Sequence, residues 1–276
     1  MIKKLHISNL LLVLLTLLLP TVGMAKNQSN NKDSLSILIL SSVPLLDKGY
    51  EAKLKAEGMQ VACTSYYQTF SYDFLKKFNL IVLDKTPLAG EEHGIFRNKE
   101  LHFVRNWKTI KKYVNAGGGL LVYPNLADCG GPRAGGFKYV MSPWGIEVEQ
   151  SSVSDAKRAS NKWVFDNSMN WTEKLNKTHP VTKDLKRIYY PSAILRWDDC
   201  YATPPLICDK NWTPIVETMP GTDTRNFLRY KWIFNNDTKK THTLGAIRDV
   251  GKGRVGVLSI NPIYTHRNGC TLNPHV

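Results

Sequence analysis

The stretch YVNAGGGLLVYPNLADCGGPRAGG, residues 113–136, decides the fold. Its first residues close an amphipathic run in which Phe103, Trp107, Ile110 and Val114 recur along one helical face. Gly117 suits the position just past a helix end, where a left-handed backbone is needed. Residues 120–123 then read as a short buried strand, and a loop dense in Gly, Asn, Asp and Arg follows. In an open α/β sheet, the loops after the carboxyl ends of parallel strands form the crevice where ligands bind. Asn125, Asp128, Cys129 and Arg133 are therefore candidate site residues by position.

The same pattern extends upstream. Residues 35–41 (LSILILS) are a continuous apolar run ending in small residues, the mark of a strand buried on both faces. Residues 48–57 have helical spacing and stop at Gly58, residues 59–65 read as a second strand, residues 74–77 as part of a short helix, and residues 80–84 (LIVLD) as a third strand. Helix–strand alternation at this rhythm predicts a mostly parallel sheet with helices on both faces. Its carboxyl rim would carry Ser41, Asp84 and Asn261 beside the loop at 125–133.

Beyond residue 136 the rhythm breaks. Trp144, Trp163, Trp171, Trp197, Trp212 and Trp232 lie here among turn residues, and residues 243–248 and 254–260 read as a hairpin joined by 249–253. The chain thus reads as one α/β domain over residues 35–276, with a β-rich insertion at about 145–240. No internal repeat is visible.

The N-terminus has the form of an export signal. Lys3 and Lys4 precede an apolar run at 10–19 broken only by Thr16, Pro20 ends it, and Gly23-Met24-Ala25 offers small residues for cleavage. The run is shorter than the ~20 residues a bilayer span requires, so residues 1–25 are expected to be removed, leaving no transmembrane span. Residues 26–34 (KNQSNNKDS) would be a flexible lead-in, and the location periplasmic or extracellular. The net charge of +14 falls to about +12 without Lys3 and Lys4. Such a balance suits nucleic acid, anionic polysaccharide or an acidic envelope surface. The Lys and Arg residues are scattered, however, which favours a solvated basic surface over a dedicated polyanion groove. Five cysteines remain, Cys63, Cys129, Cys200, Cys208 and Cys270. Cys200 and Cys208 bracket a short loop containing Pro204-Pro205 and are the best candidate disulfide pair. No CxxC or HxxxH spacing occurs, so no structural metal is expected, nor is any cofactor.

The opening strand LSILIL, the passage YVNAGGGLLVYP, the phrase GGFKYVMSPWGI, the step THPVTKDL and the closing GKGRVGVLSINP, in that order, resemble the glutamine amidotransferase-like superfamily, including its ThuA-like branch. The resemblance implies a flavodoxin-like fold. It also locates the expected catalytic positions: a Cys in a tight turn directly after a strand, and a His in a His-Pro-Glu step after the last strand. A thiolate needs such a strained turn beside backbone N–H donors, with a base in reach. This chain has Tyr123-Pro124-Asn125 at the first position and Asn261-Pro262-Ile263 at the second. Both depart from the family pattern, which argues against glutamine hydrolysis.

Two readings of function follow. The first is a non-catalytic exported module that binds a small polar ligand, a carbohydrate among the options, or an envelope partner, through Ser41, Asp84, Asn125, Asp128, Arg133 and Asn261. The alternative is an exported hydrolase acting on a carbohydrate or amide through Asp128, with Cys129 as a displaced nucleophile and His266 or His93 as base. The bland reading of Cys129 is a half-buried or bridged Cys in a Gly-rich turn. His179, before Pro180, is expected to end a segment rather than perform chemistry. The adjacent pair Asp198-Asp199 does not have the separated geometry of glycosidase carboxylates.

Overall fold

The computed structural model describes residues 34–41, 48–84, 97–124, 136–149, 151–158, 163–164, 167–191, 203–228, 231–234 and 241–260. In chain order, strand β1 (Ser36–Ser41) is followed by helix α1 (Lys48–Ala56), β2 (Gln60–Ser65), the short α2 (Tyr72–Leu75), β3 (Leu80–Asp84), α3 (Arg97–Asn115), β4 (Gly119–Tyr123) and α4 (Gly136–Met141). The β-rich part then runs through β5 (Ile146–Val148), β6 (Ser152–Ser154), β7 (Trp163–Val164), β8 (Asn167–Thr172), β9 (Ile188–Pro191), β10 (Leu206–Cys208), β11 (Thr213–Glu217), β12 (Asp223–Leu228) and β13 (Lys231–Phe234). A final hairpin, β14 (Thr243–Val250) and β15 (Gly253–Leu258), closes the described chain.

The central sheet has the order β2-β1-β3-β4-β15-β14-β10-β5, with β11 also paired to β14. Its first five strands are parallel. This is the flavodoxin-like order, in which the second half of the sheet grows away from the first at β1 and β3. From β14 onward the pairing is antiparallel. The expected hairpin is present, and its second strand is the fifth parallel member of the sheet, a role its local pattern did not disclose. The two smaller sheets, β13-β12-β6 and β7-β8-β9, are antiparallel throughout.

Glycines set the helix ends. At the end of α1, Gly58 takes φ of 82°, its N–H bonds to the Lys55 carbonyl (2.9 Å), and Met59 N–H reaches back to Leu54 (3.1 Å). Helix α3 ends in the same way. Gly117 N–H bonds to Val114 O (2.9 Å) and Gly118 N–H to Tyr113 O (3.0 Å), which is the paired closure that lets a helix reverse into a strand. Gly118 also has the Tyr113 ring where a β-carbon would sit, 2.1 Å from the nearest ring atom. That ring is buried and its hydroxyl donates to Phe78 O (3.0 Å), so the glycine run docks α3 onto the strand it precedes. Helix α2 starts at Ser71, whose Oγ accepts the Phe74 N–H (3.1 Å).

Strand alternation divides the core in two. Leu38, Leu40, Ile81, Leu83, Leu120, Val122, Val255 and Val257 face a layer built from Leu75 of α2, Trp107, Ile110 and Val114 of α3, and Phe137 and Val140 of α4. Ile37, Ile39, Leu80, Val82, Leu121 and Leu258 face the other way, onto Leu54 of α1 and onto Val153, Leu175, Val181, Tyr190 and Val216. Helices therefore lie on both faces, fewer than the sequence suggested, because the β-rich segment covers much of the second face. Among the described residues, no helix is long and apolar enough to cross a membrane.

Candidate functional site

The carboxyl edge of the parallel sheet brings together two of the side chains singled out by sequence. Ser41 ends β1 and Asp84 ends β3, and the two are register partners. Partners on adjacent parallel strands project to the same side, so the serine hydroxyl donates to Asp84 Oδ2 at 3.0 Å. Both residues are almost fully enclosed, 2% and 1% exposed. Tyr123 is the register partner of Asp84 on β4 and is likewise buried. Alternation continues from Ile37, Ile39, Leu80, Val82 and Leu121, so this row lies on the face that meets the β-rich segment.

A loop beside this edge is clamped from α3. Asn106, buried among apolar neighbours, accepts the Phe70 N–H at its Oδ1 (3.0 Å) and donates from Nδ2 to the Tyr66 and Gln68 carbonyls, the former at 2.9 Å. The Tyr66 N–H in turn donates to Ser41 O (3.3 Å). Asn106 thus fixes the segment that follows β2 against the end of β1. Sequence reasoning missed it, although a signal existed: Asn106 stands beside Trp107 and one turn before Ile110, a polar residue on a buried stripe. Ser259, directly after β15, is a second omission. It is 6% exposed, and its hydroxyl has no hydrogen-bond partner among the described residues. Its N–H is held by Leu244 O (2.8 Å).

Asn125, Asp128, Cys129, Arg133, Asn261 and His266 lie outside the described residues, as do His93, Asp198, Asp199 and Cys200. Cys208 is a free thiol in this structure, and its expected partner Cys200 lies outside the described residues. Cys208 pairs with Ile146 across β10 and β5 and packs against the helix-side core. Burial, aided by the neighbouring Asp209 carboxylate, pushes its pKa up to about 12. His179 lies within the turn residues 177–184. Asn176 Oδ1 accepts N–H bonds from Thr178 (3.1 Å) and His179 (3.2 Å), and His179 Nδ1 accepts the Val181 N–H (3.3 Å). Burial, with the Arg254 charge adding to it, lowers the imidazole pKa.

A further polar cluster lies within the β-rich segment. Asp155 accepts from Thr222 Oγ1 (3.0 Å), from Lys157 N–H (3.1 Å) and from Arg158, which also donates to Pro220 O (3.0 Å). The buried Tyr190 hydroxyl has its pKa raised, first by burial and then by the Asp155 charge. With its carboxylate satisfied by protein donors, Asp155, directly after β6, ties that strand to the turn at residues 220–222 that leads into β12. The tryptophans divide similarly. Trp107 and Trp212 are core residues, Trp144 packs on Trp107 at 5.3 Å, and the Arg187 guanidinium covers the Trp171 ring at 4.0 Å. Among the described residues, no three His, Cys, Asp or Glu side chains gather as a metal site.

No protein-family model matches the sequence, and no curated protein matches it. Solved structures with a similar fold include a ThuA-like protein from Bacteroides uniformis (TM-score 0.45, 14% identity, 85% of this chain and 86% of that one). A glutamine amidotransferase from Thermotoga maritima gives a TM-score of 0.44 at 12% identity, over 87% of each chain. A β-galactosidase from Bacillus circulans gives 0.38 at 12% identity, over 87% of this chain and 31% of that one. The chain's structural neighbours thus include ThuA-like and class I glutamine amidotransferase-like proteins, while the fold class itself follows from the strand order described above.

Proposed function

We propose that the chain is an exported, non-catalytic module of amidotransferase-like architecture that binds a small polar ligand, of the carbohydrate class, at the carboxyl edge of its parallel sheet. The observation that carries this reading is the buried Ser41–Asp84 pair. It stands between β1 and β3, where the sheet order reverses, and open α/β sheets bind ligands at that reversal because the connections leave in opposite directions and part there. A carboxylate and a hydroxyl already held together offer a directed acceptor and a second polar atom to a ligand hydroxyl or amide. The absence of catalysis is supported by Asn125 and Asn261 at the positions where the resemblance would place a thiol and a His-Pro-Glu step.

The test is a thermal-shift screen of the purified chain against sugars, amino acids and polyanions, since any compound that binds only the folded state raises the melting temperature. The expected outcome is a sugar-dependent shift that is lost in both Asp84→Asn and Ser41→Ala. A shift that survives both substitutions overturns the site. A sugar hydrolysed during the assay overturns the non-catalytic reading.

A further inference from the structure

The described part of the helical layer's outer surface is strongly basic. On the described side chains of residues 72–78 and 106–116, Lys76, Lys77, Lys108 and Lys112 are exposed and Lys111 is half-exposed, against a single carboxylate, Asp73. These charges share one face. Lys108 and Lys112 lie one turn apart, Lys112 Nζ sits 4.6 Å from the centre of the Tyr72 ring, and Lys76 Nζ pairs with Asp73 at 2.7 Å. The Asp73 pKa is lowered first by the hydrogen bond from Lys76 and its charge, and further by Lys112 and Lys77. Tyr72 and Phe74, half-exposed on α2, place aromatic rings among the ammonium groups. The face is separate from the Ser41–Asp84 edge, because α2 and α3 pack on the opposite side of the sheet from that row.

We propose that this face docks the protein onto an anionic phospholipid surface. The composition chooses the partner. Every cation described on the face is lysine, a compact point charge without the planar fork by which arginine grips a single phosphate or carboxylate. Such a face matches a diffuse negative field rather than one defined anionic group. Lysines near an anionic leaflet each contribute to binding, and partly exposed Tyr and Phe favour the headgroup region. Among the described side chains of this face, no arginine forms a bidentate pair. The inference does not depend on the ligand proposed for the sheet edge.

The experiment is co-sedimentation of the full chain with phosphatidylglycerol–phosphatidylcholine vesicles and with phosphatidylcholine vesicles alone. The readout is the ratio of the two partition constants, to which the uncharged apolar run at 10–19 contributes little. Each lysine near the surface is worth roughly fivefold in partitioning, so Lys76→Gln/Lys108→Gln/Lys112→Gln should lower the ratio about a hundredfold. A control variant, Lys183→Gln/Lys186→Gln/Lys210→Gln, removes the same charge elsewhere and should keep most of the ratio. Binding should fall steeply with salt. Equal binding to both vesicle types, equal losses in the two triple variants, or tighter capture by soluble dextran sulfate than by the anionic vesicles would each overturn the proposal. All substituted positions are exposed, and an unchanged melting temperature verifies that the variants fold.

Discussion

Gly253→Ala tests the packing that holds α3 against the sheet. A β-carbon at Gly253 would fall 2.2 Å from Val114 O and 2.3 Å from Gly118 O. An ordinary carbon–oxygen contact is about 3.3 Å or longer, so the backbones must part by about 1 Å. Neither oxygen is free to move. Val114 O accepts the Gly117 N–H that closes α3, and Gly118 O accepts the Arg254 N–H at 3.4 Å. Overpacking of this kind costs about 1–3 kcal/mol, and loosening these two backbone bonds adds about 1 kcal/mol each. The expected loss is therefore roughly 3–5 kcal/mol, and for a domain of this size it corresponds to a fall of roughly 6–20 °C in melting temperature. Thermal denaturation followed by circular dichroism measures it directly. Lys252→Ala, at the neighbouring exposed position, should stay within about 2 °C of wild type. A Gly253→Ala protein that melts with wild type would refute the close approach of α3 to β15.

Two further substitutions probe the site's supports. Asn106→Ala removes the donor and acceptor that fix the segment after β2, and should cost about 2–4 kcal/mol in urea unfolding, with faster proteolysis near residues 66–70 as the local signature. Unchanged stability and unchanged cleavage would show that Asn106 is not the clamp. At Cys208 the sign is that of a buried acid: burial disfavours the thiolate, so the folded protein keeps the neutral thiol at a pH where an exposed cysteine begins to ionise. Alkylation of Cys208 at pH 8, followed by peptide mass analysis, should therefore run about a thousandfold slower than in the urea-unfolded chain. Equal rates in the two states would refute the buried environment.

How far the sequence disclosed this structure depended on the range of the interactions involved. Residues 80–84 were legible as a strand to the residue, because five consecutive apolar or terminal positions are what a strand buried on both faces requires. The end of α3 at Gly117 was legible for an equally local reason, since the reversal needs φ of 122°. The N-terminal half of α3 was not, and the helix begins at Arg97 rather than near His102. Placement of β15 beside β4 was hidden because its pairing spans more than a hundred residues and leaves no local trace. The same holds for Asn106, whose partners are the backbone groups of residues 36 to 40 positions away. Ser41 and Asp84 were legible as rim residues because each ends a strand. Their mutual hydrogen bond required the order β1-β3, which only the assembled sheet supplies.

The direction of that row carries a consequence for specificity. Ser41, Asp84 and Tyr123 all lie on the face that packs against the β-rich segment rather than the α3 layer. In a doubly wound sheet covered by helices alone, a ligand at the reversal of strand order meets helix ends and the loops that enter them. Here the same face of the sheet packs instead on the β-rich segment, through Val153, Leu175, Val181, Tyr190 and Val216. On the proposed reading, the parallel sheet fixes where the ligand sits and the β-rich segment determines which ligand it is. Substitutions at Ser41 or Asp84 should then abolish binding of every ligand found. Changes confined to the β-rich segment should alter preference among sugars while leaving the sheet edge able to bind. A single β-rich substitution that abolishes all binding without lowering stability would place the site within the segment itself.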